Sequence, residues 1–218
     1  MVEDKLDIAI IDYGINNLFS VKRACDIIGL KSLITSDSDI ILSAKGAILP
    51  GVGAFPHAMK IIKSKKLDYT ILKFVESKKP LLGICLGMHL LLESSTEFEE
   101  TPGLAVIKGS TKKFKFYEDK KNICSVPQIG WNKIYSNDCS WEGTILSNNK
   151  NEDFMYFVHS YYVEVERNIA LANTFYGQYD YCSTFQKDNI MATQFHPEKS
   201  GVKGLKIYKN LKDVISKN

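Results

Sequence analysis

Short apolar runs at residues 8–11, 46–49 and 80–84 each stop at a turn that carries glycine, and stretches of helical period separate them. A run of this kind has no polar face to turn toward water, so it reads as a strand buried on both sides. Residues 32–35 form a weaker run of the same type. Residues 16–28 place Leu18, Val21, Ala24, Ile27 and Ile28 on one helical stripe, which Gly29 closes. Further helices are expected over 58–62 and 67–75 and directly after Cys85. Strands that alternate with helices require a mostly parallel sheet with helices on both faces.

The second half changes character. Residues 104–194 are rich in Tyr, Phe, Val and Thr in short runs at 154–158, 161–165, 170–175, 182–186 and 190–194, divided by turn signals at Tyr176-Gly177 and Lys187-Asp188-Asn189. Several antiparallel strands are expected, extending the first sheet or folding beside it. A last helix is expected over 202–215. With 218 residues and neither a low-complexity linker nor a repeat, residues 1–218 read as one domain.

Charge and cysteine usage narrow the function classes. The net charge of +3 is too small to argue for nucleic acid or a membrane surface, and no apolar stretch approaches the ~20 residues that span a bilayer. Residues 1–5 carry acids and do not read as a secretory signal. Five cysteines, an odd count with no C-x-x-C pair, argue against both a disulfide framework and a zinc knuckle; reduced thiols in a cytoplasmic protein, with no metal site, are expected.

The sharpest chemical feature is Gly83-Ile84-Cys85-Leu86-Gly87, between an apolar strand and an apolar helix. It is the cysteine form of the nucleophile elbow: small residues permit a tight turn that lifts the sulfur to a helix N-terminus, where the dipole favours a thiolate and backbone N–H groups can receive an oxyanion. A buried cysteine at a glycine-bearing strand end is the plainer alternative. A thiol nucleophile needs a base. Among His57, His89, His159 and His196, the last follows a strand signal and stands two residues before Glu198, with Pro197 restricting the backbone between them. A surface His-Pro turn is the competing reading. Pro50-Gly51-Val52-Gly53 is either an oxyanion-binding strand end or a simple turn.

Together, residues 83–88, 50–53 and the stretch Thr193-Gln194-Phe195-His196-Pro197-Glu198-Lys199-Ser200 resemble the class I (triad) glutamine amidotransferases. Asp12-Tyr13-Gly14 with Asn17, residues 127–132 and residues 157–161 are more specifically similar to the glutaminase subunits of imidazole glycerol phosphate synthase. The resemblance spans residues 8 to about 210 and implies a flavodoxin-like three-layer α/β sandwich. It implies Cys85 as nucleophile, His196 as base and Glu198 as its orienter. Gly51, Val52, Gly53, Leu86 and His89 would form the oxyanion and substrate site, with the Val52 amide correctly placed only on a signal from the partner. That partner would be a (β/α)8-barrel cyclase in a heterodimer, with Asn17, Trp131, Tyr156 and Lys199 at the interface. L-Glutamine would be the substrate, and no cofactor is implied.

Two positions depart from the family pattern. His89 stands where glutamine is usual, four residues after the nucleophile, and an imidazole cannot reproduce a carboxamide's paired groups. Gln128 stands where histidine is common. The competing functions are a related glutaminase feeding another synthase, such as one making a sugar amidine, a thiol hydrolase of the same fold, and a non-catalytic scaffold. The scaffold should have lost a triad member, and the thiol hydrolase fits poorly with residues 50–53 and 195–198 together.

Overall fold

A computed structural model describes residues 6–14, 17–116 and 124–217. The leader reading at residues 1–5 and the first position of the helix expected over 16–28 lie outside the described residues. The strands in chain order are β1 (Ile8–Ile11), β2 (Ser32–Thr35), β3 (Gly46–Gly51), β4 (Leu81–Cys85), β5 (Leu92–Ser95), β6 (Thr101–Pro102), β7 (Ile107–Lys113), β8 (Gln128–Lys133), β9 (Tyr135–Ser136), β10 (Phe154–His159), β11 (Tyr161–Val165), β12 (Ala170–Tyr176), β13 (Tyr179–Lys187) and β14 (Ile190–Thr193). The helices are α1 (Leu18–Ile28), α2 (Ser38–Ser43), α3 (Phe55–Ser64), α4 (Leu67–Glu76), α5 (Leu86–Leu90) and α6 (Gly201–Lys217).

The main sheet runs β2-β1-β3-β4-β14-β13-β11-β7-β5-β6, with β12 and β9 branching from β13. The first five strands are parallel, and β13 and β11 then turn antiparallel. The apolar runs are unalternated because both faces of this sheet are covered. Ile8, Ile10, Ile48, Leu82 and Ile84 pack in one core with residues of α1 and α6, such as Val21, Ile207 and Leu211. Ala9, Ile11, Ala47, Leu49 and Leu81 pack in the other with residues of α2, α3 and α4, such as Ile41, Phe55, Met59 and Phe74. Each fully buried aliphatic side chain contributes about 1.5–3 kcal/mol, so both faces of a strand must be apolar for the layer to close. The result is a three-layer sandwich.

The structure extends the expected elements where capping, not periodicity, sets the ends. The helix expected over 58–62 begins at Phe55, with Pro56 in its first turn, where the missing N–H costs nothing. The short α2 was not expected; Asp37 caps it by accepting from Asp39 and Ile40 N–H. Both arrangements anticipated for the second half occur. β11 to β14 extend the main sheet, while β8 and β10 pair antiparallel in a separate two-stranded sheet.

This topology positions the site. β3, β4 and β14 are adjacent and parallel, with Gly51 opposite Cys85 and Thr193 opposite Ile84. Residues 52, 86 and 194 therefore leave the sheet along one carboxyl edge, where open α/β sheets bind ligands.

Candidate active site

Cys85 is the last residue of β4 and the N-cap of α5, with φ 52° and ψ −109°. A side chain held in this region costs on the order of 1–3 kcal/mol, and the surroundings must enforce it. Gly87 shows how. A Cβ there would run into the carbonyl oxygen of Leu49, so only glycine lets the elbow lie against β3. Gly51 meets the same demand from the other side. A Cβ on it would come within 2.7 Å of both Leu86 Cβ and the Tyr13 hydroxyl.

His196 follows β14 and is anchored to the small sheet. Its N–H donates to Tyr156 O at 2.9 Å, the Ser200 hydroxyl donates to His196 O at 2.7 Å, and Tyr156 N–H donates to Ser200 Oγ at 2.9 Å. The imidazole Nδ1 lies 2.7 Å from Glu198 Oε1, and both side chains are buried. An ionised carboxylate only accepts, so Nδ1 carries the proton and directs Nε2 away from Glu198. Nε2 is buried with no hydrogen-bond partner among the described residues. Burial alone would push the imidazole's pKa down. The facing Cys85 and the Glu198 carboxylate outweigh it and raise the value to about 10. The site therefore favours a cationic imidazole beside sulfur.

Cys85 and His196 open into one cavity of about 280 Å³, together with Val52, Gly53, Leu86 and His89. Gly53 takes φ +92°, a conformation that glycine reaches without strain. Gly51 sits behind this wall as a packing residue. Glu97, Val158, His159, Ser160 and Tyr161 also line the cavity, and the sequence reading assigned none of them. Glu97 Oε2 accepts from Phe55 N–H at 2.7 Å, which holds its carboxylate at the cavity. It is one of four acids between residues 93 and 100, and nothing in their spacing singles it out.

His89 and His159 are buried and neutral. Burial lowers His89 to about 4, only partly offset by its bond to Gln194. Burial lowers His159 to about 3, and the nearby His89 and His196 push in the same direction against its bond to Tyr161 O. His159 Nδ1 lies 2.8 Å from that carbonyl and Nε2 lies 3.2 Å from the Tyr181 hydroxyl. Tyr181 also bonds Gln128 Oε1 at 2.9 Å, so the second departure is a buried structural contact. His57 is an exposed residue in the first turn of α3.

The expected interface residues form an outward surface beside the cavity. Trp131 and Tyr156 are paired across β8 and β10, with ring centroids 6.0 Å apart, and Lys199 Nζ lies 5.9 Å from the Tyr156 ring centroid. Trp131 is 56% exposed, and Ile129 (63%) and Phe154 (50%) extend the same face by strand alternation. Asn17 is exposed and directly precedes α1, its side-chain oxygen accepting from the Ser20 hydroxyl at 3.2 Å, and α1 packs against the 197–199 turn.

Among the described residues, no cluster of His, Cys, Asp and Glu could hold a metal ion, and no helix is long and apolar enough to cross a membrane. All five cysteines are free.

The family model described as glutamine amidotransferase class-I matches residues 9–212. An imidazole glycerol phosphate synthase subunit HisH 1 from Methanococcus maripaludis is 42% identical over 212 residues, covering 95% of this chain and all of that one. The HisH subunit from Bacillus thuringiensis is 43% identical over 210 residues, 95% of each chain. A crystal structure of a glutamine amidotransferase superposes with a TM-score of 0.72 at 15% identity, covering 96% of this chain and 98% of that one, and shares the flavodoxin-like fold. With a cysteine elbow, a His–Glu pair and this sheet in one chain, the protein belongs to the class I glutamine amidotransferases, among the HisH subunits of imidazole glycerol phosphate synthase.

Proposed function

We propose that the chain hydrolyses L-glutamine at Cys85 and passes the ammonia to a (β/α)8-barrel cyclase, with which it forms a heterodimer in histidine biosynthesis. The observation that carries this reading is the strained Cys85 sharing one cavity with the buried His196–Glu198 pair. Sulfur attacks the side-chain amide carbon, and His196 takes the thiol proton and returns it to the departing nitrogen as ammonia leaves. Water, deprotonated by the same imidazole, then hydrolyses the glutamyl thioester and frees glutamate and the thiol. Glu198 keeps the proton on Nδ1 and balances the imidazolium.

The N–H groups of Val52 and Leu86 receive the oxyanion, and His89 belongs to the same substrate-binding wall. Val52 lies between Gly51 and Gly53, and this freedom supports a peptide that reorients when the cyclase binds its ligand. Glu97 supplies a carboxylate for the α-ammonium of glutamine. Trp131, Tyr156, Lys199 and Asn17, extended by Ile129 and Phe154, form the docking face. A dry path matters because ammonia in bulk water is mostly protonated and loses its nucleophilic lone pair. The chain works as one amidotransferase domain in the cytoplasm, a reading supported by its five free cysteines.

The test is Cys85→Ala in the complex with the cyclase. Glutamine-dependent turnover should vanish while added ammonium still supports the cyclase. Retained glutaminase activity would refute the assignment. Rescue of a histidine auxotroph by the unmodified chain separates this partner from another synthase.

A further inference from the structure

Gln194 has no role in the reaction so far, yet it is fully buried and touches the sulfur. Its backbone N–H donates to Ser183 O at 2.9 Å, which fixes the chain just past β14. Its side chain spans the gap between two cavity residues: Oε1 lies 2.8 Å from His89 Nε2, and Nε2 lies 3.8 Å from Cys85 Sγ.

We propose that Gln194 is a positioning residue that holds the Cys85 sulfur as a thiolate, and that His89 sets the direction of its carboxamide. The proposal rests on reading Cys85 as the nucleophile. A carboxamide has one accepting end and one donating end. Here the oxygen faces His89, so His89 Nε2 must carry the hydrogen and donate. The NH2 end then faces sulfur. A donor at that point stabilises S⁻ and does little for S–H. The reversed carboxamide would present oxygen to sulfur, accept from S–H and favour the thiol instead. The tautomer of His89 therefore selects between two opposite effects on the nucleophile. Holding the hydrogen on Nε2 leaves Nδ1 as an acceptor, so His89 offers a lone pair, not a second donor.

This gives the departure at His89 a physical content. What that side chain must conserve is one hydrogen directed at Gln194 Oε1, which an imidazole supplies as well as a carboxamide does. The other groups that bear on the sulfur are the Val158 carbonyl on β10, which accepts from the thiol at 3.8 Å and favours S–H, and the titratable groups His196 with Glu198 after β14, His159 on β10, Tyr13 after β1 and Glu97 after β5. None of them lies on the His89–Gln194 path.

The experiment is the pH dependence of Cys85 alkylation by iodoacetamide in the full chain without glutamine, read on the Cys85 peptide by mass spectrometry. Gln194→Leu should raise the midpoint by about one pH unit, a roughly tenfold loss of thiolate below it. His89→Leu should reproduce at least about half of that shift, and His89→Gln, which keeps a donor, should restore the wild-type midpoint. The double variant H89L/Q194L should titrate like Gln194→Leu alone, because both changes remove one path. An unmoved midpoint in His89→Leu, with only the KM for glutamine raised, would reduce His89 to a substrate contact and overturn the proposal. A lowered midpoint would overturn it too, since the carboxamide would then be reversed. The comparison of His89→Leu with His89→Gln decides the matter even if Gln194→Leu does not fold. Failure of the nucleophile reading looks different: Cys85 would then react no faster than Cys124 and Cys139, and Cys85→Ala would keep its glutaminase activity.

Discussion

Two buried neutral histidines make the fold sensitive to acid well above the range in which carboxylates titrate. An unfolded histidine takes up its proton near pH 6.5, whereas His89 in the native chain waits until about 4 and His159 until about 3. Between those limits only the unfolded chain binds the proton. The stability these groups confer is therefore complete above pH 6.5 and is lost as pH falls toward the native values. Each pH unit costs up to about 1.4 kcal/mol per histidine. For His89 the loss is roughly 3 kcal/mol by pH 4, and His159 adds a loss of similar size, against a typical domain stability of about 5–15 kcal/mol.

Other groups act in other windows. Burial of Asp7 and Asp153 is outweighed by their bonds to Lys45 and Lys203, which hold both carboxyls below 3.8, so their contribution is present above that value and lost only below it. His196 has the opposite sign. Its native value near 10 makes its contribution complete below pH 6.5 and lost only as pH rises toward 10. The assay is urea denaturation from pH 7 down to about 4, comparing wild type with His89→Gln. The variant has no titrating group at that position and keeps a donor for Gln194. Its stability should fall with a slope shallower by up to about 1.4 kcal/mol per pH unit. Parallel curves would show that His89 is protonated in the native chain, or never buried, and would refute the reasoning.

Glu198→Gln should lower kcat for glutamine by about 10³–10⁴-fold with little change in KM, because an amide donating to Nδ1 moves the hydrogen to Nε2 and removes the lone pair that must take the thiol proton. Steady-state glutaminase kinetics in the cyclase complex measure it, and a loss under tenfold would place Glu198 outside the mechanism. Trp131→Ala should weaken cyclase binding by roughly 30-fold, the effect of losing a central aromatic anchor worth about 2 kcal/mol. Titration calorimetry reads this directly, and an unchanged Kd would move the docking face off β8 and β10.

The sequence by itself determined the sheet and the identity of the reacting groups. Short unalternated apolar runs such as residues 8–11, bounded by glycine-bearing turns and alternating with helical patterns, read as strands covered on both faces, and the small residues of Gly83-x-Cys85-x-Gly87 signal a tight turn between strand and helix. His196 and Glu198 were legible as a pair because a single residue, Pro197, separates them along the chain. Tertiary structure alone decided the rest. Glu97 reaches the cavity because β5 and α3 bring a loop carboxylate to the Phe55 amide 42 residues away, and Gln194 acquires its contacts from residues more than a hundred positions upstream. Whether Trp131 lay in the core or faced outward also depended on β8 pairing with β10 apart from the main sheet. Local periodicity reports which face of an element is apolar. It carries no information on which distant elements meet, since that is set by the packing of the whole chain.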